Sequence, residues 1–556
     1  MTLALPVDTP PMRKARGAFF TPEPVARHII SWAVRSPEDS VLEPSCGEAA
    51  FLLAADARQR SLGRQAQQTS GDLHGVEMHT GSAAAARQIL RAAGASAHIT
   101  TADFFTVSPT PRYDAVVGNP PFVRYQDFSG EARARSRASA LRAGVSLTHL
   151  ASSWAAFTVH AALFLRPGGR LGLVLPAELL SVNYAAGVRQ FLMERFGRIR
   201  LVLFTERVFP GVLEEVVLLL AEGEGPTEQC ELLQVHNADD LIDLQSGRRS
   251  TWTPSRTSAK WSGGLVPGGA AAICADLISS AAFSTMHAWG ETTLGMVTGA
   301  NKYFALSPAR VRELRLPETD LVALSPPGSR HLRGLSFTAQ LRARLGDAGA
   351  STWMFRPSAE PGLPSWEYIR RGADLGIDQA YKCRVRTPWW RVPLQAPADL
   401  FLTYMNADTA RLTTNVASVH HLNSVHGVYL HGPTVELGRL LLPLASLNSV
   451  TLLSAETVGR AYGGGMLKVE PREADALPMP SPRTVVAARY ALLAVRERVT
   501  ARLKEGRLMD AVRIVDHALL LTTLGMARSD VSELEEAHAM LTARRKARAL
   551  NARDRV

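Results

Sequence analysis

The sequence is poor in cysteine and contains no long apolar run. Its four cysteines stand far apart and form no CxxC pair, which argues against a zinc ribbon and a disulfide-rich secreted scaffold. No stretch approaches the ~18 consecutive apolar residues that a transmembrane helix needs. Residues 1–17 also lack the apolar core of a signal peptide. We therefore expect reduced thiols, no membrane association and a cytoplasmic location.

The composition is otherwise that of an ordinary globular protein with an excess of positive charge. Of the 556 residues, 46% are hydrophobic and 20% are charged, so the chain can bury a large core without disulfides or metals. At about 150 residues per domain, this length corresponds to two to four domains. The net charge of +11 favours a polyanionic partner such as a nucleic acid, although solvated basic faces alone give the same balance.

The pattern of the chain changes along its length. Strand-like and helical runs alternate from Thr21 to Glu222, which predicts an α/β domain, residues 1–245, with a doubly wound, largely parallel sheet. The polar stretch 246–264 contains Pro and Gly and predicts a linker. Short apolar runs between Gly, Pro and Trp predict a mixed, loop-rich domain at 265–480. The helical pattern of residues 481–556 ends in a basic tail.

The first three predicted strands each end in residues suited to binding a nucleoside. The first ends in the small-residue turn EPSCG and the second at Glu77, whose carboxylate can accept hydrogen bonds from ribose hydroxyls. The third ends at Asp103-Phe104, which can bind an adenine amino group and cover its ring. Taken singly, these features equally predict a tight turn, a surface carboxylate and a helix cap. Their order predicts a nucleoside-bearing cofactor, and the lack of GxGxxG and P-loop motifs argues against a dinucleotide and a nucleoside triphosphate.

The fourth predicted strand ends in the sequence GNPPF, residues 118–122. Two consecutive prolines remove two backbone donors and stiffen the loop. The side-chain oxygen of Asn119 and the carbonyl of Pro120 can then accept two hydrogen bonds from one exocyclic amino group, while Phe122 can stack on the ring that carries this amine. The alternative interpretation is an Asx-Pro turn that closes the strand.

The motifs FTPEPVARHI, VLEPSCGEAAFL, GVEM, ADFF and YDAVVGNPPF resemble, in order and spacing, the gamma class of DNA adenine-N6 methyltransferases, the TaqI-type enzymes of restriction–modification systems. The resemblance covers roughly residues 15–222. It implies a Rossmann-like methyltransferase domain, S-adenosylmethionine as cofactor, double-stranded DNA as partner and no metal. The reaction implied is methyl transfer to the N6 amine of an adenine flipped out of a specific sequence, with a separate restriction endonuclease as partner or none.

The resemblance also implies roles for individual residues. The residues implied to bind the cofactor are Thr21, Glu43, Pro44, Cys46, Gly47, Glu77, Met78, Asp103 and Phe104. Of these, Glu77 would hold the ribose, and Asp103 would accept the adenine amino group. Met78 and Phe104 would flank the adenine ring, and the remaining residues would lie on the methionine and ribose side.

The residues implied to contact the target base are Asn119, Pro120 and Phe122, with Phe209 as a second aromatic against the flipped base. The half beyond residue 264 resembles the target-recognition domains of this class only loosely. Its candidates for DNA contact are Arg384, Arg386 and Arg391, next to a pair of tryptophans. The alternative for these residues is that the charges are solvated and the tryptophans belong to the core.

Other functions remain open at the level of sequence. A cytosine-N4 methyltransferase uses the same chemistry, although Asn119 favours adenine. RNA and protein-glutamine methyltransferases also contain NPP loops, but such chains usually lack a recognition half of this size. A catalytically silent DNA-binding subunit is a further class, against which the intact cofactor motifs argue. His420, His421 and His426 have no cysteines nearby, which favours a structural or phosphate-facing role over a metal site.

Overall fold

The computed structural model describes residues 21–64, 73–123, 127, 130–206, 208–209, 215–242, 247–254, 257 and 259–550. The chain divides into two units, the first comprising Met1–Gly268 with Ala547–Val556 and the second comprising Gly269–Lys546. Within the described part of the chain, no single helix is long and apolar enough to span a membrane, although one bent pair of helices passes that test when its members are taken together.

The first unit is built on one large mixed sheet. Its described strands are β1 (Val41–Glu43), β2 (Leu73–Glu77), β3 (His98–Thr101), β4 (Tyr113–Gly118), β5 (Leu165–Pro176), β6 (Arg198–Phe204), β7 (Val216–Glu222), β8 (Cys230–Val235) and β9 (Arg248–Trp252). Their order is β3-β2-β1-β4-β5-β7-β6-β8-β9. The first five strands in this order, from β3 through β2, β1 and β4 to β5, run parallel to one another. Strand β7 instead runs antiparallel to β5 and β6. The strand order reverses between β1 and β4, which is where doubly wound sheets bind ligands.

The connecting helices of the first unit are α1 (Glu23–Ala33), α2 (Ala50–Ser61), α3 (Thr80–Ala92), α4 (Gly130–Leu141), α5 (Ser153–Ala162), α6 (Glu178–Ser181) and α7 (Ala186–Arg195). Short 3₁₀ turns occupy Phe104–Thr106, Asn183–Ala185, Asp239–Ile242 and Trp261–Leu265. Helix α1 shows why these segments are helical. Pro24 stands in its first turn, where a missing N–H costs nothing, and Val25, Ile29 and Ile30 recur on one buried face.

The sheet has a hydrophobic core on each face. In β4, Val116 packs into one core, while its neighbours Ala115 and Val117 pack into the other, because successive side chains of a strand point to opposite faces. In β1, Leu42 and Val41 divide in the same way. Burial on both faces explains why the central strands are mostly apolar. The α/β architecture predicted from the sequence is confirmed.

The stretch 246–264 differs from the free linker that its composition predicted. Within it, β9 pairs antiparallel with β8, and Trp261 is fully buried in a core of the first unit. The rings of Trp252 and Trp261 meet with their centroids 5.9 Å apart. A strand at the edge of a sheet keeps polar residues on its solvent side, so its sequence resembles that of a linker.

The second unit contains several small sheets. Its described strands are β10 (Phe283–Thr285), β11 (Gly290–Leu294), β12 (Ala305–Leu306), β13 (Leu321–Ala323), β14 (Ser336–Phe337), β15 (Trp353–Phe355), β16 (Leu400–Thr403), β17 (Met405–Asn406), β18 (Leu412–Asn415), β19 (Val425–Leu430), β20 (Arg460–Tyr462), β21 (Met466–Lys468) and β22 (Pro478–Pro480). They form the sheets β11-β19-β16-β18-β14, β12-β15-β13 and β17-β21-β20 and the pair β10-β22.

Helices make up much of the rest of this unit. They are α8 (Gly268–Ser279), α9 (Asn301–Phe304), α10 (Pro308–Glu313), α11 (Ala339–Asp347), α12 (Leu363–Asp374), α13 (Tyr381–Arg384), α14 (Val435–Ala445), α15 (Ser449–Val458), α16 (Pro471–Asp475), α17 (Pro482–Ala487), α18 (Arg489–Lys504), α19 (Leu508–Asp516) and α20 (Arg528–Leu550). A π-helical segment, His517–Thr523, follows α19. Short 3₁₀ turns occupy Met286–Ala288, Glu318–Asp320, Ile377–Gln379, Gly432–Thr434 and Gly463–Gly465.

The C-terminal helices belong to the second unit through Lys546. Asp516 accepts hydrogen bonds from the backbone N–H and the hydroxyl of Ser449, at the start of α15. Arg545 forms a buried ion pair with Glu456, with 2.7 Å between nitrogen and oxygen. The basic residue Arg545 therefore stabilises this unit from within rather than standing as a solvated charge.

Candidate active site

The carboxyl ends of four adjacent strands gather the polar residues that the sequence motifs singled out. Glu43 ends β1, Glu77 ends β2, Asp103 comes two residues after β3, and Asn119 directly follows β4. Because these four strands are parallel neighbours, the four residues lie along one edge of the sheet. This edge includes the point where the strand order reverses.

Glu77 ties together the turns that follow β1 and β2. One carboxylate oxygen accepts the backbone N–H of Gly47 at 3.0 Å, and the other accepts that of His79 at 2.8 Å. Gly47 has a φ of +48°, a conformation that glycine adopts without strain. A carboxylate oxygen accepts more than one hydrogen bond, so Glu77 can also accept from a ligand hydroxyl while it holds the turn.

Glu43, the last residue of β1, carries a buried carboxyl that faces the first turn of α2. It accepts the backbone N–H of Leu52 at 3.1 Å. Burial raises the pKa of the Glu43 carboxyl well above its usual range, and the negative charge of Glu77 adds to this effect. The ionised form of Glu43 is therefore unfavourable here unless a positive charge comes close.

Cys46 and Pro44 are buried within the same turn. The backbone N–H of Cys46 donates to the carbonyl of Val76 at 3.0 Å, and burial raises the pKa of the Cys46 thiol. A Cβ atom on Gly75 would lie 2.9 Å from the Cys46 sulfur, so glycine at that position leaves room for the Cys46 side chain against β2. Cys46 therefore shapes the turn as a packed, neutral thiol.

Asp103 closes the turn that follows β3. One carboxylate oxygen accepts the backbone N–H of Phe105 at 3.0 Å, and the other lies 3.5 Å from Nε of Arg135. The cap predicted as the alternative role of Asp103 is therefore present, and it orients the carboxylate at the sheet edge. Met78, at the neighbouring strand end, exposes 67% of its surface, so its side chain is accessible to a ligand.

Two aromatic residues that the resemblance placed beside ligands are buried instead. Phe104 is 3% exposed and is enclosed by Phe157, His160 and Phe164, with ring centroids 4.7–5.1 Å away. Phe209 is 4% exposed and lies in the core on the other face of the sheet. An aromatic ring beside a polar motif gains more from filling the core than from facing solvent, and the sequence motif does not show which way the ring points. The contacts with the cofactor and the target base that the resemblance implies for Phe104 and Phe209 therefore stay predictions.

The loop after β4 is held by hydroxyl groups on both sides of Asn119. The side-chain nitrogen of Asn119 donates to the hydroxyl of Thr21 at 3.3 Å, and the hydroxyl of Ser45 donates to the backbone carbonyl of Asn119 at 3.2 Å. An amide nitrogen only donates, and that of Asn119 is directed to Thr21, so the side-chain oxygen is the atom that can accept a hydrogen bond from a substrate amine. Thr21 therefore orients Asn119, a role that the sequence motif did not reveal.

The rest of the loop is packed and anchored. Pro120 is buried, and half-buried Phe122 packs against the cores of both sheet faces. Ser153, at the start of α5, forms hydrogen bonds with the loop next to Phe122. Sequence reasoning missed Ser45 and Ser153, because a serine in a turn or at a helix start ordinarily predicts a local cap.

The three arginines proposed for DNA contact fall into two groups. Arg384 and Arg391 are exposed. The guanidinium of Arg386 instead donates to the backbone carbonyl of Thr298 and lies 5.6 Å from the ring centroid of Phe304. Burial lowers the pKa of Arg386. Arg386 thus stabilises the second unit from within, which differs from the expected DNA contact.

Two of the three histidines in the segment 420–426 lie in the interior of the second unit. His421 and His426 are buried, and Nε2 of His426 donates to the carbonyl of Val469 at 2.8 Å. Burial lowers the pKa of His421 to about 4, so its ring is neutral at physiological pH. The described residues contain no group of three or more His, Cys, Asp or Glu side chains that could hold a metal ion.

Two family models of known proteins match the chain over successive parts of its length. A family model described as N-6 DNA Methylase matches residues 9–253. A second model, described as the C-terminal domain of Type II methyltransferase M.Eco57I, matches residues 258–520. The chain is an adenine-specific DNA methyltransferase, as predicted, and the alternative activities are not favoured.

Two Type II methyltransferases are similar to most of the length of this chain. Type II methyltransferase M.XamI from Xanthomonas campestris pv. amaranthicola is 26% identical over 482 residues, which cover 84% of this chain and 85% of that protein. Type II methyltransferase M.AccI from Acinetobacter calcoaceticus is 22% identical over 499 residues, covering 83% and 84% respectively.

One solved structure resembles the fold of nearly the whole chain. The Type IIL restriction-modification enzyme MmeI in complex with DNA matches with a TM-score of 0.52 and 11% identity, over 94% of this chain and 75% of that one. At this level of identity the likeness concerns the fold alone. It agrees with the α/β architecture of the first unit.

Proposed function

We propose that this protein methylates an adenine that has left the stack of a specific double-stranded DNA sequence. The proposed site is the sheet edge formed by the ends of β1 to β4. One observation carries the proposal. The Asn119-Pro120-Pro121-Phe122 loop lies at the same edge as Glu43 and Glu77, so a cofactor at one end of this edge and an amine at the other would be neighbours.

The residues present fit S-adenosylmethionine, the cofactor of this class of enzyme. Glu77 offers carboxylate oxygens for ribose hydroxyls, Asp103 offers one for the adenine amino group, and exposed Met78 can cover the adenine ring. Buried Glu43, whose pKa is raised, suits a ligand that carries positive charge. When bound, the cofactor supplies an electrophilic methyl group on a sulfonium.

The role of the loop after β4 is to hold the target amine in line with that methyl group. The side-chain oxygen of Asn119 and the carbonyl of Pro120 accept the two amine hydrogens, so the nitrogen lone pair points toward the methyl group. Phe122 stacks on the base. Orientation of this kind supplies a large part of the rate enhancement, and unstacking the base costs a few kcal/mol, which these contacts offset.

Recognition of the DNA sequence is proposed for the second unit. Exposed Arg384 and Arg391 are the candidates for phosphate or base contacts, and Arg386 is not, because it is used internally. Several relatives are named Type II methyltransferases, which supports a place in a Type II restriction–modification system with a separate endonuclease as partner.

Modification mapping in a host that expresses the full chain tests this function. We expect N6-methyladenine at a fixed position of one sequence motif, and none of it when Asn119→Ala replaces the wild type. N4-methylcytosine in place of N6-methyladenine would overturn the choice of base. Absence of any modified motif, with folded protein present, would overturn the activity itself.

A further inference from the structure

Ser153 joins a buried helix to the backbone next to Phe122. Its hydroxyl accepts the backbone N–H of Val123 at 2.9 Å and donates to the backbone carbonyl of Pro121. Its own backbone N–H donates to the carbonyl of Val123 at 3.0 Å. One residue therefore holds the chain on both sides of Phe122.

The sequence of the loop explains why a hydroxyl is needed here. Pro120 and Pro121 have no N–H, so the loop can be held at these positions only through its carbonyl oxygens. The next donor along the chain after Phe122 is the N–H of Val123. A hydroxyl group has one hydrogen to donate and two lone pairs to accept, so a single serine satisfies the Pro121 carbonyl and the Val123 N–H together.

The helix that carries Ser153 is a rigid anchor. Every residue of α5 is buried, and Trp154 lies in the core on one face of the sheet. Ser153 itself is 3% exposed. Because a buried helix cannot shift without disturbing the core, the position of Ser153 fixes the position of the loop.

We propose that Ser153 is a positioning residue for methyl transfer, which holds Phe122 where it stacks on the target base. The proposal rests on the proposed function, because it assigns Phe122 to the target adenine. Ser153 acts through the backbone of Pro121 and Val123 and contacts neither the cofactor residues nor the base. When the hydroxyl of Ser153 is removed, the loop keeps its sequence and its acceptors for the amine, but the aromatic ring of Phe122 is no longer held in place.

Ser152 provides a matched control. It precedes Ser153 in the chain and is also buried, but its hydroxyl forms a hydrogen bond with the hydroxyl of Tyr184 at 3.2 Å and no side-chain cap for α5. Tyr184 donates its one hydrogen to Glu178 at 2.6 Å, so it retains a partner when the hydroxyl of Ser152 is removed. Ser152→Ala therefore removes the same chemical group one residue away and leaves the hydrogen bonds to the loop intact.

The experiment compares Ser153→Ala and Ser152→Ala in the full chain with three measurements. These are the single-turnover rate of methyl transfer at saturating cofactor and DNA, the affinity for S-adenosylmethionine by calorimetry, and hydrogen exchange at the Val123 amide. Because small misplacements in an active site cost up to about 100-fold in rate, we expect Ser153→Ala to slow the chemical step by about 10- to 100-fold. Cofactor affinity should stay unchanged and exchange at Val123 should be faster, while Ser152→Ala should resemble the wild type in all three.

Two outcomes overturn the proposal. The first is a Ser153→Ala enzyme with the wild-type single-turnover rate, and the second is a parallel loss of cofactor affinity, which indicates a general effect on folding. If Ser153→Ala does not fold, exchange in the wild type decides, because an unprotected Val123 amide contradicts the hydrogen bond and a protected one supports it. A wild type that does not methylate adenine would refute the proposed function instead, and Val123 protection would still report on the Ser153 contact.

Discussion

The two units of this chain place their chemically important residues by different means. In the first unit, four polar residues come from separate segments, and one parallel sheet aligns them because each follows a strand end. In the second unit, the candidate arginines lie close together in sequence, but the fold gives their side chains different surroundings. Arg384 and Arg391 remain exposed, while Arg386 bonds to a backbone carbonyl and lies near an aromatic ring.

This difference between the two units shows when a sequence motif predicts where a side chain lies in the fold. A parallel sheet fixes where its strand ends lie, so a short polar residue directly after a strand has few places to go. An arginine on an irregular segment has a long, flexible side chain that can reach solvent, a phosphate or a nearby carbonyl. Proximity in sequence therefore says little about a common role in the second unit. Four predictions test this contrast.

The largest effect is expected at the loop after β4. Asn119→Ala removes an acceptor for the amine and should lower the single-turnover rate by at least about 100-fold, with the affinity for S-adenosylmethionine unchanged. Asn237→Ala is the control, because the side-chain oxygen of Asn237 accepts hydrogen bonds within its own turn. Loss of cofactor affinity with normal methylation would contradict the role given to Asn119.

The next effect concerns the strand ends that we propose bind the cofactor. Glu77→Ala and Asp103→Ala should each weaken cofactor binding by ~1–3 kcal/mol, the usual cost of a buried donor left without its acceptor, which is about 5- to 150-fold in Kd. Glu48→Ala, which removes an exposed carboxylate beside the same turn, should bind normally. Wild-type affinity in both variants would place the pocket elsewhere.

A smaller effect is expected for Glu43, which should make the affinity for S-adenosylmethionine depend on pH. Burial raises the pKa of Glu43, so the free protein keeps a proton there to a higher pH than an ordinary carboxyl does, and a cationic ligand favours release of that proton. Affinity for S-adenosylmethionine should therefore rise with pH below the raised pKa, by at most about tenfold per pH unit because one proton is exchanged. Calorimetry in buffers of different ionisation enthalpy measures the proton released. Glu43→Gln keeps an acceptor for Leu52 and should abolish this dependence, whereas an unaltered pH profile in the variant would refute the role.

The smallest effects concern the arginines of the second unit. Arg384→Ala and Arg391→Ala should weaken DNA binding without changing cofactor affinity, and the salt slope should fall by about one for each phosphate that the variant no longer neutralises. Arg386→Ala should instead lower the free energy of unfolding by about 1 kcal/mol, because its hydrogen bond to Thr298 is removed. DNA titrations at several salt concentrations and denaturant unfolding measure the two effects. If Arg386→Ala changed DNA affinity alone, the contrast between these residues would be wrong.

The order of the motifs predicted the α/β fold and the placement of the polar site residues at the sheet edge. Glu77 and Asn119 could be predicted because they directly follow apolar strands, and two consecutive prolines limit the conformations of the loop after β4. The adenine-specific activity followed from the resemblance that these motifs carry.

The tertiary structure alone decided which side chains face the site. It buried Phe104 and Phe209, because the same aromatic residue can fill a core or cover a ligand and local sequence does not choose between them. It made 248–252 an edge strand, since pairing depends on where β8 lies in the sheet, which the local sequence of 248–252 does not show. It also brought Ser153 to the loop from some 30 residues further along, a distance over which packing determines contact and sequence pattern does not.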